Sequence, residues 1–383
     1  MQESRIELQA RIYLTLENPH PIPCSRNITF ACLLQELLNS VWEMDHFAFD
    51  IIVPVWNNPT ETRNCLASLV EHSPGARFIL MDNGSNRETE SLLQNFAELL
   101  NERALLLRKE VTSHFIKVVN RGLARAEAPL SVIVKTTTIV TDGWLQPLLE
   151  SVACRPDIGV ATPALVEKKD ILPTRKKITV KPPIEISHGS FAAIMVTKNL
   201  YDRIGGFDEG LDGRSWCLKD YSRRAWREGF VTVNVAGAPA YFQEDVLLGS
   251  LAKREELIRK SVALFTERWG EERAYYLEMK GEACPDNLDQ KFAFLLNGAR
   301  LGHHFTVLAH PEAYRAIVAA GYNLVHKNID VEQLPTFFAA HAVRKRISRL
   351  RENIPDIRAL AETDCMTAID KDEDSLPEAE IID

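Results

Sequence analysis

The spacing of apolar and polar positions changes along the chain, and each change marks an element. From Asp50 the pattern becomes regular: Ile51-Ile52-Val53-Pro54-Val55-Trp56 is apolar without alternation, as in a strand covered on both faces. Asn58-Pro59 supplies an N-cap and a proline at the first helical position, which predicts a helix to about His72. A second buried strand, Arg77 to Met81, closes on Asp82-Asn83-Gly84-Ser85, where Ser85 and Glu88 read as a capping box for a helix through Leu100. Leu105 to Leu107, a helix from Phe115 to Ala126 and the run Val132-Ile133-Val134 continue the alternation, and Thr141 to Leu145 is expected to open another helix. Repeated units of this length predict an α/β fold with a doubly wound, mostly parallel sheet.

The spacing then becomes less regular. Ile158 to Thr162 reads as a strand, Lys168 to Lys181 as a basic, proline-containing excursion, and Ile184 to Val196 as one long strand carrying His188. Helices are expected at Asn199 to Ile204 and Trp216 to Glu228, with a strand from Phe230 to Val235. Farther on, a charged amphipathic helix runs from Val246 to Trp269, and Phe292 to Leu296 is helical. Phe305 to Ala309, Pro311 to Ala320 and Tyr322 to Val325 form a small βαβ-like unit, and helices follow at Leu334 to Leu350 and Ile357 to Glu362. Before the regular region, Arg11 to Leu16 has strand period and Ile28 to Trp42 helical period. The resulting division is an amino-terminal extension (1–47), an α/β domain (48–245), a helical and α/β accessory module (246–368) and a disordered acidic tail (369–383).

Composition narrows the function. With 383 residues, 45% of them hydrophobic, the chain can bury a full α/β core and a second, smaller unit. A formal charge of −8 supplies no general positive field for a nucleic-acid backbone, so no nucleic-acid partner is expected. The seven cysteines include no CxxC pair, which argues against a zinc knuckle or disulfide scaffold and suits a cytoplasmic protein. No apolar run approaches a membrane span, so any membrane association would be peripheral. Arg344-Lys345-Arg346 with Arg349 and Arg351 reads as a solvated helix face, and it is the place to look for an anionic lipid or partner.

Ligands of open α/β sheets bind outside the carboxyl ends of the strands. Six strings there, IIVPVWNN, MDNGS, NRGLARA, TDGWL, GGFDE and the REGF turn, occur in an order and at spacings that resemble the family 2 glycosyltransferases of GT-A fold, over roughly Asp50 to Gln243. The resemblance implies a nucleotide-sugar donor, UDP- or GDP-linked, and a carbohydrate or glycoconjugate acceptor. It assigns Pro54, Val55, Asn57 and Asp82 to the base and ribose, and Asn120, Arg121 and Gly122 to the segment beneath the diphosphate. The alternative for Asp82 is an ordinary Asx-turn residue, and for the Asn120 to Gly122 segment a helix interrupted for packing. Asp208 and Glu209 match the acceptor-side motif, or simply end a turn.

Where the resemblance implies a metal-binding Asp-x-Asp or Asn-Asp pair, this chain has Lys135, Thr136, Thr137 and Thr138, so no metal ligand and no cofactor is expected. Lys135 could oppose phosphate charge directly or point to solvent. Cys217 and Leu218 stand where the family's general base and its neighbour would be, and the late metal-binding histidine falls near Tyr241 or Phe242. Asp220, which matches a secondary acid of the motif, is then the first candidate base, with His188, Glu244 and Asp245 as the others. Two readings follow: a glycosyltransferase working without the usual metal, and a non-catalytic domain that binds a sugar, a nucleotide or a protein.

Overall fold

The computed structural model describes residues 47–168, 182–243, 251–281 and 285–361. The elements expected at Arg11 to Leu16 and Ile28 to Trp42, most of the basic excursion, Glu244, Asp245 and the acidic tail lie outside these residues.

The first half folds as its spacing dictates. β1 (Phe49–Val55) is buried at every position, and α1 (Pro59–His72) follows with proline in its first turn. Then come β2 (Ala76–Asp82), α2 (Arg87–Leu100), β3 (Ala104–Arg108), α3 (Phe115–Leu123), β4 (Leu130–Val134), the short β5 (Thr138–Ile139) and α4 (Gln146–Cys154). β6 (Ile158–Glu167), β7 (Ile184–Glu185), β8 (Ala193–Thr197), α5 (Lys198–Ile204), α6 (Ser215–Arg227) and β9 (Val231–Phe242) complete a nine-stranded sheet. Its order is β3-β2-β1-β4-β8-β6-β9-β5, with β7 also paired to β9. β8 runs antiparallel to both β4 and β6, and the short β5 and β7 run antiparallel to β9; the remaining pairs are parallel. Successive side chains of β1 alternate between two cores. Ile51, Val53 and Val55 pack with Leu66, Phe78 and Trp144, whereas Ile52 packs with Val119, Phe207 and Tyr221.

A second unit follows. α7 (Leu251–Trp269) leads to β10 (Ala274–Met279), α8 (Pro285–Arg300), β11 (His304–Ala309), α9 (Pro311–Ala319), β12 (Ile329–Gln333), α10 (Ala339–Asn353) and β13 (Arg358–Ala359). The four strands form a parallel sheet, β12-β11-β10-β13. The two sheets meet at β7. Glu185 N–H donates to Val325 O at 3.0 Å and Lys327 N–H to Glu185 O at 2.8 Å, while Arg300 forks the Glu185 carboxylate at 2.7 and 2.9 Å. Arg300 also lies 4.0 Å over the Trp226 ring, so one guanidinium joins β7, α6 and α8.

Several expectations need correcting. The helix expected at Thr141 starts at Gln146, because Trp144 turns inward to bond Ser73 Oγ at 3.1 Å. The long strand Ile184 to Val196 is two strands separated by a loop through His188, and Asn86, not Ser85, caps α2 by accepting from Thr89 N–H. Tyr322–Leu324 is a 3₁₀ turn, while the strand lies at Ile329–Gln333; the segment expected as a helix at Ile357 contributes β13. Short apolar runs have no decisive period, and tertiary pairing settles their form.

Candidate functional site

The carboxyl ends of β1 and β2 form one hydrogen-bonded rim. Asn57 and Asn58 take left-handed backbone, φ +56° and +54°, which asparagine tolerates better than most residues. That turn lets Asn57 N–H donate to Ser85 Oγ at 2.9 Å, while Asn57 Oδ1 accepts from Asn86 N–H at 2.8 Å. Ser85 N–H in turn donates to Asp82 Oδ1 at 2.9 Å, and Arg108 Nε faces Asp82 Oδ2 at 3.8 Å. Asn83 holds the loop after β3 by donating to Ser113 O at 2.8 Å and accepting from Ser113 N–H at 2.9 Å. Gly84, at φ +76°, is required there: a Cβ would lie 3.2 Å from Glu110 O and from Thr112 N. Pro54 and Val55 are buried, so only their backbone can face a ligand, whereas the next residue, Trp56, is exposed at this rim. Trp56, Ser85 and Arg108 are rim residues that sequence reasoning missed. An exposed tryptophan at the end of a fully buried strand was the available signal.

At the end of β4, Lys135 O accepts from Cys65 Sγ at 3.4 Å and from Thr138 N–H at 3.0 Å, and the Lys135 ammonium lies 5.1 Å over the Phe115 ring. Thr138 is buried and donates its hydroxyl to Ala192 O at 2.8 Å. β5 pairs Thr138 with Phe242, and Gln243 N–H reaches Thr137 O at 3.3 Å. The two segments that the resemblance links to a metal are therefore neighbours. Between them their described residues offer hydroxyls, an amide and an ammonium, and no carboxylate or imidazole. Among the described residues no group of three or more His, Cys, Asp or Glu is arranged to hold a metal ion.

Asn120 and Gly122 have structural roles. The Asn120 carboxamide donates to Phe207 O and accepts from Phe207 N–H, both at 2.8 Å, and also donates to Glu209 Oε1 at 3.2 Å, fixing the turn through Phe207 to Glu209 to α3. At Gly122 a Cβ would sit 2.5 Å from Ile52 Cγ2, so this glycine allows α3 to lie against β1. Asp208 Oδ1 accepts from Gly210 N–H at 2.8 Å and Oδ2 from Arg268 at 2.8 Å. Against the upward push of burial, the Gly210 bond and the Arg268 charge hold its carboxyl below the usual range. Glu209 faces the Lys117 ammonium at 3.9 Å.

The expected bases are placed differently. Asp220, on α6, is fully buried: Oδ2 accepts from Arg224 Nε at 2.8 Å, and Oδ1 accepts from Arg268 Nη1 at 2.5 Å and Trp269 Nε1 at 3.0 Å. Arg224 also donates to Ile204 O and Gly206 O, so the carboxylate anchors α6 to the glycine turn and to α7. Both oxygens are thus engaged by cationic or indole donors, and an acceptor hydroxyl would have to compete with them for this carboxylate. His188 Nδ1–H donates to Gly189 O at 2.8 Å, which sets the tautomer with the proton on Nδ1. Burial lowers its pKa, and the charges that act on it, Lys219, Glu272 and Lys327, belong to α6 and the second unit rather than to the rim at Asp82. Cys217 is buried with its thiol pushed up by that burial, and Leu218 is buried beside it. Asp212, unremarked in the sequence, caps α6 by accepting from Trp216 N–H at 3.0 Å.

An α/β sheet with one reversed internal strand, and polar loops gathered at the carboxyl ends of β1, β2 and β4, is the architecture of a GT-A domain. Residues 50–207 match the family model of glycosyl transferase family 2, and the chain carries a family 2 glycosyltransferase domain. No curated protein matches the chain. Among solved structures, GalNAc-T7 with UDP, GalNAc and Mn²⁺ is similar at 14% identity and TM-score 0.48, over 58% of this chain and 49% of that one; the chain thus spans about half of that protein. The mannosyltransferase PcManGT from Pyrobaculum calidifontis, in complex with GDP-Man and Mn²⁺, is similar at 15% identity and TM-score 0.44, over 85% and 89%. S. aureus TarS 1-349 in complex with UDP-GlcNAc is similar at 15% identity and TM-score 0.47, over 65% and 72%. Likeness of that degree leaves the assignment to the family match.

Proposed function

We propose that this domain is a glycosyltransferase that takes its sugar from a nucleoside diphosphate donor seated on the rim of Asn57, Asp82 and Ser85, and that it holds the diphosphate without a resident divalent metal. The observation that carries this reading is the end of β4. By the resemblance, Lys135 and the three threonines after it stand where the family keeps its acidic pair, and the described part of the adjoining segment, Tyr241 to Gln243, holds no acid or imidazole. Threonine hydroxyls are neutral, weak ligands for Mg²⁺ or Mn²⁺, whereas a lysine can oppose phosphate charge as a point cation. Asp82 would accept from a base N–H or a ribose hydroxyl, and the exposed Trp56 offers a ring for stacking. The acceptor is a carbohydrate or glycoconjugate.

A second reading, a binding domain without turnover, is favoured by the engagement of Asp220, since transfer to a sugar hydroxyl needs a group to take its proton. Calorimetric titration with UDP and GDP, with and without Mn²⁺, tests the first point, and donor hydrolysis or transfer tests the second. Nucleotide affinity is expected to be insensitive to Mn²⁺. Tighter binding with metal would overturn the metal-free reading, and nucleotide binding with no turnover of any donor would establish the second.

A further inference from the structure

The second unit carries a surface that neither the donor rim nor the seam between the sheets uses. α10 has Val343 and Leu350 turned into the core, where Val343 packs with Leu308 and Leu334, and its outer side holds Arg344, Lys345, Arg349 and Arg351, all exposed. Arg346 alone of the basic run is satisfied internally, forking the Glu332 carboxylate. Among the described residues the other four have no ion-pair partner, in a chain whose formal charge is −8. Arg344, Ser348 and Arg351 follow one another at i, i+4 and i+7, so they share a face, and with Tyr276, Ile347 and Glu352 they line an open depression of about 580 Å³.

The amino-terminal end of the same helix is unusual in a different way. Phe337 and Phe338 are 79% and 86% exposed, far above any other large aromatic side chain described. Phe338 also adopts left-handed backbone, φ +60°, a conformation that costs a bulky residue on the order of 1–2 kcal/mol and that no burial of its own ring offsets. Two adjacent rings held in water at the start of the helix that carries four unpaired cations match the two requirements of an interfacial site: apolar side chains to enter the acyl boundary and basic ones to meet anionic headgroups. A nucleic-acid duplex would use the cations but offers the two exposed rings no acyl boundary to enter, so the ring pair favours the bilayer.

We propose that Phe337, Phe338 and the outer face of α10 dock the protein on a bilayer surface containing anionic phospholipid. The rings enter the headgroup boundary, and Arg344 and Arg351 hold headgroup phosphates in the depression beside Ser348 and Tyr276, with Glu352 favouring the outer, more basic side. The test is co-sedimentation of the full chain with vesicles of phosphatidylcholine alone and of phosphatidylcholine with phosphatidylserine, at low and high salt. Binding to the anionic vesicles only, and weaker at high salt, is expected. Arg344→Gln with Arg351→Gln should weaken it about 30-fold, at roughly the worth of one basic residue near a charged surface each. Phe337→Ser with Phe338→Ser should weaken it about tenfold or more while leaving thermal unfolding unchanged or slightly improved. Equal sedimentation with both vesicle types, no sedimentation, or indifference to both variant pairs would overturn the proposal. So would binding that appears only after residues 362–383 are removed, which would make the acidic tail the occupant of this surface, or tighter binding to RNA than to the vesicles.

Discussion

Asp82 and Asp220 are both buried aspartates in segments that the family resemblance associates with chemistry, yet their surroundings separate them. Asp82 receives one backbone N–H within hydrogen-bond distance, and its other oxygen looks at an arginine 3.8 Å away, so it keeps acceptor capacity at the end of a strand. Asp220 receives Arg224, Arg268 and Trp269 together. A carboxylate becomes a site only where its lone pairs are left over after folding, and the count of donors around it distinguishes a ligand-binding acid from an anchor.

The largest effect is expected at the anchor. Asp220→Ala should lower unfolding free energy by about 3 kcal/mol, because it removes a buried carboxylate from three donors, while Arg224 keeps Ile204 O and Gly206 O and the partly exposed Arg268 keeps Asp208; urea unfolding measures it. A variant as stable as wild type but without turnover would instead restore Asp220 as the base. At the rim, Asp82→Asn should cost about 1.5–3 kcal/mol of nucleotide affinity, roughly 10- to 150-fold by titration, with little change in stability. Gly122→Ala separates packing from phosphate binding: overpacking against Ile52 should cost about 1–3 kcal/mol of stability, while the folded fraction binds nucleotide as before. Lost affinity at unchanged stability would return Gly122 to the donor site.

The smallest effect per step concerns the seam. His326 is 3% exposed, its Nδ1 accepts from Asn328 N–H at 2.9 Å, and burial first, then Arg300 and His304, lowers its pKa from 6.5 to about 3. The folded state therefore declines a proton that the unfolded chain accepts below pH 6.5. Stability is full above that pH and falls as pH drops toward about 3, by up to about 1.4 kcal/mol per pH unit. Urea unfolding between pH 7 and pH 4 should show this slope, reduced in His326→Gln; an unchanged slope in the variant would assign it to other groups.

Much of the first sheet was legible because buried parallel strands and capped helices announce themselves by run length and punctuation: β1, α1, β2, β3 and β4 all fall where Ile51, Pro59, Phe78, Leu105 and Val132 indicated. The second unit was less so. β10, with Tyr275, Leu277 and Met279 inward and Tyr276 and Glu278 outward, alternates plainly, yet it followed a long helix and was missed. β13 is only Arg358–Ala359, both exposed, and is a strand solely because β10 offers it an edge.

The sequence by itself determined the strand ends and the residue types standing on them: Asn57, Asp82, and a lysine followed by three threonines at the end of the central strand. Those follow from local pattern and identity, which no packing can alter. Only the tertiary structure decided which polar groups remain available. Asp220 and Arg268 lie 48 positions apart, and the Asn120 carboxamide meets Phe207 across 87. Hydrogen bonds over such separations are set by how two layers settle against each other, and one chain pattern is compatible with many such settlings until the cores of both sheets are packed.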